Sequence, residues 1–168
     1  MDVYTVFEGN RRHNETLDAR LADEAVERVT LTDEQRRRSR CRTETDAGRE
    51  VGIVAGHDLE SGDVLATEDG DASRLEVALE PIDALRIDLA DAAGSATTAV
   101  ALGHAAGNRH WAMAVRASAV LFPATESRER MRETVDPHLP EGATVEWVTV
   151  PLETFDSPGH DHGHGGHS

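Results

Sequence analysis

The sequence predicts an α+β chain: a β-rich N-terminal domain over residues 1–79, a ferredoxin-like βαββαβ domain over 80–152, and a disordered histidine-rich tail over 153–168. Three observations carry this. Short aliphatic and β-branched runs, separated by Asp, Gly and Asn clusters, fill the first half without a long helical repeat. After Glu80-Pro81 two helical patterns alternate with strand-like runs. From Glu153 onward the composition turns to Asp, Ser, Pro, Gly and His, too polar to bury a core.

In the first domain the strand-like runs fall at residues 3–7, 26–31, 50–54, 63–67 and 75–79, each bounded by turn-forming residues. Runs this short predict a small β domain. Thr32-Asp33-Glu34-Gln35 is the local exception, a capping-box pattern that starts a helical turn. The residues that follow, Arg36, Arg37, Arg38, Arg40 and Arg42, form a basic island in an acidic chain. It reads either as a solvated strand or turn paired with Asp33, Glu34 and Glu44, or as a protein-docking face centred on Arg36, Arg38 and Arg40.

In the second domain residues 84–89 alternate like a strand, and 95–106 form a small-residue helix with Val100, Ala101 and His104 at helical spacing. Gly107-Asn108 closes it. Residues 111–115 and 119–122 flank Arg116-Ala117-Ser118 as a hairpin, and 127–135 form a charged helix that Asp136-Pro137 ends. Residues 144–150 alternate as a last strand, which completes the βαββαβ order.

Composition narrows the function classes. The 168-residue chain carries a net charge of −15, with 17 arginines and no lysine. That balance reads as a salt-adapted surface from a halophilic source, and it argues against nucleic acid, since no excess positive charge exists to release counterions. No stretch approaches the ~20 apolar residues of a membrane span, and the start lacks a secretory pattern, so a cytoplasmic protein is expected. The single cysteine, Cys41, allows no intrachain disulfide and is expected to pack as a small apolar residue. Enzyme signatures are absent: there is no Gly-x-Ser-x-Gly, no His-Glu-x-x-His, and no phosphate loop, which would need a lysine. Acidic pairs such as Asp69 and Asp71 sit in turn-like contexts and read as solvated carboxylates.

The legible chemistry lies in the histidines. Four of the nine, His160, His162, His164 and His167, crowd the glycine-rich tail. Imidazole is a favoured ligand for nickel, zinc and copper. In an extended strand alternate residues lie ~7 Å apart, too far to share one ion, so the chain must fold around the metal. Gly159, Gly163, Gly165 and Gly166 ease that folding, and Asp161 adds an oxygen. His110, in Gly107-Asn108-Arg109-His110-Trp111, stands at a helix-to-strand junction. One imidazole makes a weak site, but a twofold dimer about this edge would bring two copies to one ion. His104 is either a core-facing residue or a secondary ligand; His13, His57 and His138 have no partner spacing and read as surface residues.

Several segments together resemble the UreE family of urease accessory proteins. They are Leu31-Thr32-Asp33-Glu34-Gln35-Arg36-Arg37-Arg38-Ser39-Arg40, Thr45-Asp46-Ala47-Gly48-Arg49-Glu50-Val51-Gly52, Gly62-Asp63-Val64-Leu65-Ala66-Thr67-Glu68-Asp69-Gly70, Gly107-Asn108-Arg109-His110, and the histidine-rich end. The resemblance implies a nickel metallochaperone, not an enzyme, with a peptide-binding-like N-terminal domain and a ferredoxin-like metal-binding domain. It also implies a homodimer in which His110 bridges one Ni2+ between protomers and tail histidines supplement the site. The implied partners are the urease apoprotein complex and the urease accessory GTPase. The chain departs from the family's pattern in two places. Residues 121–132 hold no histidine where some members carry a His-x-His pair, which argues against a second fixed site there. Ala105 stands where others have a histidine, the nearest here being His104.

The expected function is therefore Ni2+ delivery for assembly of the urease metallocentre. Zn2+ and Cu2+ compete for the same imidazoles, because such ligands alone do not choose nickel. Two rival readings are a nickel or zinc buffer without a delivery partner, and a docking module whose histidines are incidental.

Overall fold

A computed structural model describes residues 1–70, 73–92 and 96–156. The chain divides into two compact units, Met1–Glu80 and Pro81–Ser168. Sheets dominate and helices are few, an α+β composition. Among the described residues no helix is long and apolar enough to cross a membrane.

The first unit contains β1 (Asp2–Tyr4), β2 (Val6–Asn10), α1 (Glu15–Leu21), β3 (Val26–Leu31), α2 (Asp33–Arg36), β4 (Arg40–Glu44), β5 (Glu50–Val54), β6 (Asp63–Ala66) and β7 (Arg74–Leu79). They form a three-stranded sheet in the order β1-β5-β4 and a four-stranded sheet in the order β2-β6-β7-β3. The run at 3–7, expected as one strand, is two. Tyr4 pairs with Ile53 in the first sheet and Val6 with Ala66 in the second, so the chain changes sheets at Thr5. All four residues of β6 are buried, as befits a central strand covered on both faces. One cover is α1, a helix the sequence reading missed: Leu17 and Leu21 pack on Val64, and the Asn14 side chain caps the Leu17 N–H at 3.0 Å. The capping box at Thr32 and Gln35 is present in full.

The second unit runs β8 (Ile82–Asp88), α3 (Ala96–Asn108), β9 (Ala114–Arg116), β10 (Ala119–Pro123), α4 (Arg128–Val135), a 3-10 turn at Asp136–His138, β11 (Thr144–Val150) and a second 3-10 turn at Leu152–Phe155. Its sheet has the order β11-β8-β10-β9, with every pair antiparallel. Alternation along β8 and β10 sends Leu85, Ile87 and Phe122 to one face, where Leu102 and Ala106 of α3 and Met131 and Val135 of α4 meet them. Both helices therefore cover one side of the sheet. On the other side Ala84, Ala114 and Leu121 pack with Val148, Val150 and Phe155. Residues 111–113, expected as strand, precede it: Trp111 closes α3, and β9 begins only at Ala114.

Candidate metal centre

His110 is the focus of that closure. The Trp111 N–H donates to the Ala106 carbonyl at 3.1 Å and the His110 N–H to the Gly107 carbonyl at 3.0 Å. These two bonds are the paired closure of a Schellman motif, in which the residue just past the helix takes a left-handed conformation. That residue is usually glycine. Here it is His110, with φ +56°. A side chain at positive φ is strained by about 1–2 kcal/mol, and histidine tolerates it better than most. The apolar contact that accompanies the motif is present: Trp111 and Ala106 share the core with Phe122.

The residues on either side of His110 are tied to one carboxylate. Arg109 Nη1 donates to Glu126 Oε1 at 2.9 Å, and the Trp111 indole Nε1 donates to Glu126 Oε2 at 3.0 Å. His110 itself is exposed. It stands at the negative end of the α3 dipole, a helix with no basic residue in its last turn, so the field there favours a cation.

His104 lies on the exposed side of α3. Its Nε2 lies 3.2 Å from the Asn108 side-chain amide, one turn further along the helix. His13 and His57 are exposed and His138 is half-buried; His57 packs edge-on against Phe7, ring centroids 4.6 Å apart, with Asp63 3.5 Å from its Nε2. Burial pushes the Cys41 thiol up, with Arg38 opposing, so it is protonated at neutral pH and poorly suited to metal.

Among the described residues no group of three or more His, Cys, Asp or Glu side chains could hold a metal ion. A cation at His110 thus needs donors from beyond the described part of one chain. His160, Asp161, His162, His164 and His167 lie outside the described residues.

The arginine island separates on inspection. Arg36, read either as a solvated arginine paired with Asp33 or as part of a docking face, does pair with Asp33 but is only 3% exposed: its guanidinium sits 2.7 Å from Asp33 and reaches the Leu59 carbonyl, while the Leu59 N–H returns a bond to the Arg36 carbonyl. It fastens α2 to the loop before β6. Burial, the largest single effect, pushes the Asp33 carboxyl up, but the hydrogen bonds from Arg36 and Arg37 and the charges of both guanidiniums together outweigh it and hold the carboxyl below its ordinary range. Arg38, paired with Glu34, and Arg40 are exposed. Glu126 went unnoticed in the sequence, because nothing local links it to partners 15 and 17 residues away.

Residues 7–78 match the family profile described as UreE urease accessory protein, N-terminal domain. The chain is 36% identical to the urease accessory protein UreE of Natronomonas pharaonis, over 93% of this chain and 77% of that protein. It is also 28% identical to the proteins of the same name from Yersinia mollaretii and Edwardsiella ictaluri, covering 77% of this chain but only 60% and 61% of theirs.

Proposed function

This chain belongs to the UreE family of urease accessory proteins, and from that premise we propose that it is a nickel carrier supplying Ni2+ to the urease metallocentre. Its role is then in urease maturation, as an accessory protein and not a catalyst. The observation that carries the nickel reading is the placement of His110: an exposed imidazole, in a strained left-handed turn, at the cation-favouring end of α3.

Ni2+ is the cargo, and its ligands are drawn from more than one place. His110 from two copies of the chain bridges one ion in a homodimer, which supplies by symmetry donors that the described residues of one chain do not bring together. His160, His162, His164 and His167 complete or reload that site, with Asp161 and His104 as secondary donors. The second unit's sheet order, β11-β8-β10-β9 with both helices on one face, supports reading it as a ferredoxin-like metal-binding and dimerisation domain, residues 80–152. Residues 1–79 serve as the partner-binding domain, in which Arg38 and Arg40 remain available to a docking protein. The partners are the urease apoprotein complex and the urease accessory GTPase, in the cytoplasm.

A carrier must hold its ion and also give it up. Imidazoles suit this, since they bind only when neutral and exchange faster than a closed thiolate cage. Calorimetric titration with Ni2+ tests the reading. Wild type is expected to bind one tight ion per two chains plus a weaker set, and His110→Ala to lose the tight component. An unchanged isotherm in His110→Ala sinks the bridging site.

A further inference from the structure

We propose that Glu126 is the positioning residue of the His110 site: its carboxylate grips the two neighbours of His110 and so holds the imidazole where it can ligate. The inference rests on the nickel reading above and deepens it. Arg109 and Trp111 approach different oxygens of the same carboxylate, at 2.9 and 3.0 Å, from the two sides of the left-handed residue. The peptide planes flanking His110 are thereby anchored to the segment that leads into α4, across 15 to 17 residues of sequence.

Why such an anchor is needed follows from the strain. With φ +56° at a non-glycine residue, the left-handed turn is held at a cost by the backbone bonds of the closure, and fixing the side chains on both sides of it limits how far the imidazole can depart from one direction. The Schellman bonds alone fix the helix end, but they are made equally well by glycine at this position. What histidine adds is a direction, and direction is set by the residues on each side. Glu126 also pairs the guanidinium next to the ligand, so the positive charge of Arg109 is met by a carboxylate before a divalent cation arrives. Trp111 is 8% exposed, so its indole N–H needs an acceptor in any case, and Glu126 is the one it has.

The test uses the full chain, titrated with Ni2+ by calorimetry, with the tight component defined as the one that His110→Ala removes. Glu126→Ala is expected to weaken that component about tenfold, in the range seen when the support behind a metal ligand is removed, and to leave the weaker set unchanged. Glu126→Gln, whose single carbonyl oxygen can still accept from the indole, should fall between. Tight binding of wild-type strength in Glu126→Ala overturns the proposal. So does an equal loss in both components, which marks general damage to the fold. If Glu126→Ala does not fold, Trp111→Phe removes the indole donor together with part of a core ring, and its tight component must weaken while the weaker set stays unchanged, or the proposal fails. Should His110→Ala leave the isotherm intact, the nickel reading itself fails, an outcome distinct from a silent Glu126.

Discussion

A histidine in the glycine position of a helix closure carries a cost in stability, and that cost is measurable. His110→Gly removes a left-handed side chain, and the gain exceeds the added freedom of glycine in the unfolded chain. The expected result is a thermal midpoint raised by the equivalent of about 1 kcal/mol. His110→Ala brings no such gain, since alanine is no better at positive φ than histidine. Melting of the three proteins checks the order Gly above His, with Ala level or below; a glycine variant no more stable than wild type means the turn is unstrained. Arg36 teaches the converse lesson at the same scale. A basic residue within a run of arginines is not thereby a surface residue, and here the first arginine of a basic island is spent on joining α2 to Leu59.

Elements report how much the amino-acid pattern conveys. Strands β3 and β5, the capping box of α2, α4 and β11 were legible, because each is a local pattern of burial or capping. The break at Thr5 was not, since both halves of the run are apolar and only their partners differ, Ile53 for Tyr4 and Ala66 for Val6. Helix α1 escaped notice because seven residues with two buried leucines make little periodic signal. His110 was legible as a candidate, whereas its φ and its clamp by Glu126 are tertiary facts. A similar long-range tie joins the strands of the first unit. Arg49 meets Glu27 of β3 at 2.7 Å and the Tyr4 hydroxyl of β1 at 2.8 Å, and it also pairs with Asp2. The hydrogen bond from Arg49 pulls the Glu27 carboxyl below the usual glutamate range, with burial opposing and Thr45 and the arginine charge assisting. A lowered folded pKa gives stability that is complete above the unfolded value near ~4.3 and is lost as pH falls through the lowered folded one. Glu27→Gln should therefore cost up to about 1 kcal/mol at neutral pH and nearly nothing at the acid end. Urea midpoints for both proteins across pH ~7 to ~3 decide it; parallel curves would detach Glu27 from the acid response.

For the whole molecule the governing quantity is charge. There are 32 acidic residues against 17 arginines, and the arginines are largely committed to local pairs, such as Arg74 with Glu8 at 2.7 Å and Arg11 with Glu76 at 2.8 Å. What remains is an excess of 15 negative charges spread over the surface. Salt acts on the two populations unequally. The screening length falls from about 10 Å at 0.1 M to about 3 Å at 1 M, which removes repulsion between separated carboxylates but only trims pairs already in contact. Each exposed pair is in any case worth about 0–1 kcal/mol, so weakening a few of them cannot offset relief of the general repulsion. The thermal midpoint should therefore climb as KCl rises from ~0.1 M to ~1 M. Metal binding separates along the same line. Ni2+ held only by the diffuse negative field is released by salt, whereas the imidazole coordination proposed at His110 would be a short-range bond to a neutral ligand and would persist. Titrations at the two salt levels should then differ in the weak component and agree in the tight one. A tight component that disappears in high salt would mean that the surface charge, not His110, had been holding the ion.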